Sequence, residues 1–74
     1  MSRSTFVVEA YDSDVVTFEP PVKDRDFLTR LEAEAQVEQW KERGYSVDAC
    51  ERVEKSPTQV EYHYFIRNGK VVAS

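Results

Sequence analysis

Cys50 and His63 form the sharpest chemical pair in the chain, because a thiol beside an imidazole can become a thiolate nucleophile. Strands folded about Lys55-Ser56-Pro57-Thr58 would set the two residues directly opposite each other. Covalent catalysis also needs a group that orients the base and donors that receive an oxyanion. Asp48 shares the expected face but stands a full pleat from Cys50, and no residue offers the oxyanion site. A structural zinc site needs four protein ligands, which one Cys and one His cannot supply from soft residues. The only glycines, Gly44 and Gly69, sit where turns need them, so no glycine loop cradles a phosphate. The expectation is a protein that is not an enzyme, with no catalytic residue, no metal and no cofactor.

A second signal is residues 60–70, VEYHYFIRNGK, where aromatic rings alternate with Arg67 and Lys70 as on some RNA-reading sheets. Net charge argues against that reading. Fourteen acidic against ten basic residues leave −4, whereas a phosphate-backbone binder is expected to be basic. Direct nucleic-acid binding is therefore the second reading.

The elements that position these residues follow from spacing. Residues 4–21 read as a hairpin about Asp12-Ser13-Asp14, with Ala10 opposite Val16 and Val8 opposite Phe18; the other face pairs Tyr11 with Val15, Glu9 with Thr17 and Val7 with Glu19. Pro20-Pro21 ends that pairing. Thr29 and Glu32 spell a capping box, Leu28 and Ala33 take the staple positions, and Gly44 suits a left-handed C-cap, giving a helix over 29–43. Ala33, Val37 and Trp40 share its inner face, while Glu34, Glu38 and Glu42 form a solvated row. Beyond Gly44 the pattern has period two. The turn at 55–58 pairs Val53 with Val60, Arg52 with Glu61, Glu51 with Tyr62, Cys50 with His63, Ala49 with Tyr64 and Val47 with Ile66. Asn68-Gly69 predicts a type I′ hairpin that sets Ile66 against Val71, Phe65 against Val72 and Tyr64 against Ala73. The fold class is α+β: a single compact two-layer domain over residues 1–74, in β-β-α-β-β(-β) order, with one antiparallel sheet of four to five strands packed on one helix.

The helix is expected to cover Phe6, Val8, Phe18, Val47, Tyr64 and Ile66. That leaves Val7, Tyr11, Val15, His63, Phe65 and Val72 on the other sheet face as a surface for a partner. A chain of 74 residues has a modest core, worth about 3–5 kcal/mol net, and gains by covering a second face with a protein partner or with a second copy of itself. An alternative contact is the acidic surface of Asp12, Asp14, Glu19, Glu34, Glu38 and Glu42, suited to a basic channel. The leading expectation is a non-catalytic protein-binding module. Its size and style match the small inhibitors and adaptors of phages and mobile elements, including those that block host restriction or CRISPR machinery. The lone cysteine suggests a reducing compartment, and no run approaches the roughly 18 apolar residues of a membrane span. The initiator Met without a signal-peptide core completes the reading of a whole, soluble, cytoplasmic open reading frame.

Overall fold

The computed structural model describes residues 3–12 and 20–72. An α-helix, α1 (Arg30–Glu42), begins where its cap dictates: Thr29 is extended (φ −128°, ψ 151°), and its Oγ1 accepts the Glu32 N–H at 3.3 Å. The same hydroxyl donates to Glu32 Oε1 at 2.8 Å, which holds the two capping side chains together. At the other end Gly44 adopts φ 90°, and the Gly44 and Tyr45 N–H groups bond the Lys41 and Trp40 carbonyls at 3.0 and 3.1 Å. That is a Schellman closure, and it needs the left-handed residue that glycine supplies. The expected staple does not form: Ala33 is fully buried, but Leu28 is 80% exposed, because the chain reaches the cap directly from a strand at the sheet margin.

Five strands make one sheet: β1 (Arg3–Tyr11), β2 (Lys23–Phe27), β3 (Ser46–Ser56), β4 (Gln59–Arg67) and β5 (Lys70–Val71). Their spatial order is β2-β1-β3-β4-β5, antiparallel throughout, so the α+β class and the β-β-α-β-β-β order follow the sequence reading. Helix α1 lies over β3, β1 and β2 on one face. Val8, Ala10, Ala33, Val37, Trp40, Val47, Ala49 and Ile66 form the core there, flanked by Phe6, Phe27, Tyr45 and Phe65. Each fully buried valine (Val8, Val37, Val47) removes enough apolar surface to stabilise the fold by roughly 1.5–3 kcal/mol. Among the described residues no helix is long and apolar enough to cross a membrane.

Two expected pairings are corrected. The strand beside β1 is β2, with Val8 opposite Arg25 and Ala10 opposite Lys23 rather than Phe18 and Val16. Because β3 occupies the other side of β1, with Val8 opposite Ala49, no further strand can pair there. Residues 15–19, including Val15, Phe18 and Glu19, lie outside the described residues, as do Asp14 and Ala73.

The second correction concerns β3 and β4. The loop between them is only Pro57-Thr58, with Ser56 opposite Gln59, and irregularities break the register between Glu54 and Ser56 and again between Ala49 and Cys50. The observed partners are Glu54 with Val60, Val53 with Glu61, Arg52 with Tyr62, Glu51 with His63, Cys50 with Tyr64, and Ala49 with Ile66. Each expected pair is displaced, so Cys50 does not face His63, and Arg52 meets Glu54 (2.6 Å) instead of Glu61. The Asn68-Gly69 turn holds as expected: both residues have positive φ (51° and 76°), Arg67 faces Lys70 and Ile66 faces Val71. The Val72 N–H donates to the Phe65 carbonyl at 3.1 Å.

Truncating Trp40, which is 7% exposed, to Ala removes about 3–5 kcal/mol, the whole net stability typical of this size. Far-UV circular dichroism at 25 °C should show Trp40→Ala largely unfolded. Thr29→Ala should stay folded and lose about 1 kcal/mol in urea titration.

Candidate functional site

A one-residue shift along β4 exchanges its two faces, and the observed register therefore turns the aromatic strand over. Tyr62 and Tyr64, expected under the helix, stand on the open side of the sheet with Cys50 and Arg52. Phe65 goes the other way. It is the extra residue of the bulge and packs at the core margin, edge-on to Phe6 (centroids 6.3 Å apart, planes at 73°) with the Arg30 guanidinium 4.3 Å above its ring. His63 joins it on the helix side and hydrogen-bonds Glu61 Oε1 at 3.1 Å through Nε2. Of the expected partner face, Val7 and Tyr11 are where the sequence placed them. His63 and Phe65 are not, and Val72 lies beside Phe65.

The open face is a shallow groove of about 440 Å³ lined by Val7, Glu9, Asp24, Asp26, Cys50, Arg52, Tyr62 and Tyr64. Antiparallel pairing arranges it in rows across the strands. One row runs Asp26, Val7, Cys50, Tyr64; the next runs Asp24, Glu9, Asp48; a third runs Thr5, Arg52, Tyr62. Tyr62 is 57% exposed, whereas Tyr64 is held down by the Arg67 guanidinium 3.6 Å over its ring, and its hydroxyl donates to Glu9 Oε1 at 3.5 Å. Asp48 is committed to structure: it accepts the Asn68 N–H at 2.8 Å and lies 3.6 Å from Arg67.

Carboxylates crowd the β2 side of the groove. Burial first, and then the charge of Asp48, raise the Glu9 carboxyl above its ordinary pKa, with Asp24 adding to the effect and Tyr64 opposing it. Asp24 and Asp26 have no ion pair among the described residues. Sequence reading missed this cluster because Lys23-Asp24-Arg25-Asp26 lacks the apolar alternation of a strand. Its alternation is in charge: Arg25 turns to the helix side and donates to Gln36 Oε1 at 3.3 Å, while the aspartates turn to the groove. The acidic helix row is exposed as expected but partly neutralised in place, Glu34 by Arg30 (3.7 Å) and Glu38 by Lys41 (3.8 Å). Glu42 and Asp12 are also exposed.

Cys50 is 1% exposed, and burial followed by the charge of Glu9 pushes its thiol up to about 11. A thiol protonated at neutral pH and shut from solvent is a packing residue, with no imidazole opposite it. No group of three or more His, Cys, Asp or Glu among the described residues is arranged to hold a metal ion. Comparison with protein families, curated proteins and solved structures finds no match to this chain.

Burial, with Glu9 second, likewise pushes Tyr64 up to about 12. Both groups hold their protons more tightly folded than unfolded. Their contribution is therefore full below pH 9 and lost as pH rises through the folded values. Urea midpoints should fall between pH 9 and about 11, and Cys50→Ala should flatten that fall. The raised Glu9 carboxyl has the same sign, with its cost setting in from the lower carboxylate range: at neutral pH Glu9→Gln should raise the urea midpoint, because it removes a charge that burial and Asp48 disfavour.

Proposed function

We propose that this chain is a non-catalytic protein-binding module that docks a basic, extended segment of a partner protein along the open face of its sheet. The observation that carries the reading is the composition of the uncovered groove. Val7, Cys50, Tyr62 and Tyr64 give it an apolar, aromatic floor, and Asp24 and Asp26 stand unpaired along one side among the described residues. Tyrosine contributes large contact area with a polar tip, which favours it at the centre of interfaces. Lys or Arg side chains of a partner would meet the aspartates while its apolar residues cover the rings, and this charge match would speed association at low salt. The role we assign is that of a small inhibitor or adaptor, of the kind mobile elements direct against host restriction or CRISPR machinery. A reducing compartment suits the single buried thiol, and the cytoplasm is the setting we propose.

The competing reading is a single-stranded nucleic-acid platform. It draws support from Tyr62 and Tyr64 standing on one face, as stacking rings would. Against it, Glu9, Asp24, Asp26 and Asp48 would all face the phosphates.

Two-dimensional amide NMR titration separates the two. Lysine- and arginine-rich peptides with interspersed leucine or phenylalanine should shift the amides of Val7, Cys50, Tyr62 and Tyr64, and the doubly reversed Asp24→Lys/Asp26→Lys variant should weaken binding at least several-fold. Shifts from oligo-dT or oligo-U with a steep salt dependence, and none from the peptides, would transfer the groove to the nucleic-acid reading.

A further inference from the structure

The two margins of the sheet differ in how they would meet a copy of themselves. At one margin β5 pairs with β4 only at Ile66 and Arg67, and Val72 takes the Phe65 carbonyl. Residues 59–64 of β4 are bonded to β3 on one side, and among the described residues no strand lies on the other. At the opposite margin stands β2, also unpaired on its outer side. Such edges are templates for strand addition unless side chains prevent it.

Antiparallel strands related by a two-fold axis obey a parity rule. Residues directly opposite each other point to the same face, so only positions an even number apart can meet. For Lys23-Asp24-Arg25-Asp26 this is prohibitive. Centred on Asp24, the edge sets Asp24 against Asp24 and Lys23 against Arg25; centred on Arg25, it sets Arg25 against Arg25 and Asp24 against Asp26. Like charges meet either way. On β4 the rule gives the reverse result when the axis passes through Tyr62. Tyr62 meets Tyr62, Val60 meets Tyr64, and Glu61 meets His63 twice. Moving the axis to Glu61 would oppose two carboxylates.

We propose that two copies of this chain associate through the outer edge of β4, antiparallel and centred on Tyr62, to make one continuous ten-stranded sheet. Pairing over residues 60–64 forms roughly four to six main-chain hydrogen bonds. It stops where Val72 already occupies Phe65. On the open face, Val60 (36% exposed) and Tyr62 (57%) of each copy are covered by their counterparts. On the helix side, each Glu61, already 3.1 Å from its own His63, also receives the His63 of the second copy. The inference does not depend on docking through the groove, and its charge-swap test uses residues on the other face.

Sedimentation equilibrium of the intact protein across the micromolar range should show a monomer–dimer equilibrium. His63→Glu places carboxylates opposite one another in both pairs and should weaken the dimer at least tenfold. The swapped variant Glu61→His/His63→Glu should restore it. His63 is exposed and Glu61 half-buried beside Lys55 (2.9 Å), and circular dichroism will show that the variants fold. The register has its own readout: Tyr62→Cys should form an intermolecular disulfide under a mild thiol oxidant, and Glu61→Cys should not, since position 61 lies opposite position 63. A monomer at all concentrations, a dimer indifferent to His63→Glu, failed rescue by the swap, or crosslinking equal at both positions would each overturn the proposal.

Discussion

Antiparallel pairing between β3 and β4 lets only residues of the same face stand opposite one another, so each extra residue in either strand turns over everything beyond it. The register shifts twice in this hairpin, once between Glu54 and Ser56 and once between Ala49 and Cys50. Between the two irregularities lie Tyr62 and Tyr64, held on the open face; beyond the second, Ile66 is back in the core against Ala49. The bulge at Phe65 therefore separates two demands that one regular strand could not meet. The sheet keeps an apolar anchor under the helix and shows two tyrosines to the outside. Phe65 itself fills the margin against Phe6, beneath Arg30, so the irregularity is packed rather than empty.

The distribution of charge depends on the same alternation. β2 sends Lys23 and Arg25 to the helix side, where they lie over the rings of Tyr45 and Phe27, and sends Asp24 and Asp26 to the groove. A strand with almost no apolar side chains is held by its backbone ladder to β1 and by these cation–ring contacts. The groove's acidity comes at a cost, visible in the raised Glu9 carboxyl, and Tyr64 and Arg67 offset part of it.

Punctuated elements were legible in the sequence. The Thr29 cap, the Gly44 closure and the Asn68-Gly69 turn each rest on a local backbone requirement that few residue types satisfy, and all three form, although Glu32 bonds the Thr29 hydroxyl where the reciprocal box would have it take the Thr29 N–H. The fold class followed from them. What was not legible depends on tertiary context. The pairing of β1 with β2 rests on a strand whose alternation is one of charge, so apolar periodicity could not find it. The β3–β4 register turned on whether Lys55-Ser56-Pro57-Thr58 closes as a four-residue loop or as two residues beside a bulge, and composition does not distinguish these. That single ambiguity moved Tyr62, Tyr64, His63 and Phe65 to the opposite faces from those expected. Only Val7 and Tyr11 of the described candidate surface stayed in place, because β1 itself is regular.

The charge order of β2 also bears on colloidal behaviour. A small sheet with two open margins is in principle a unit of unlimited fibre growth, each added copy offering a new template for the next. Here only one margin can accept its own kind. Once two copies join at β4, both outward margins are β2, and every allowed apposition of Lys23-Asp24-Arg25-Asp26 with itself brings like charges face to face. Four residues of alternating sign would thus act as a chain terminator, limiting the proposed assembly to two copies.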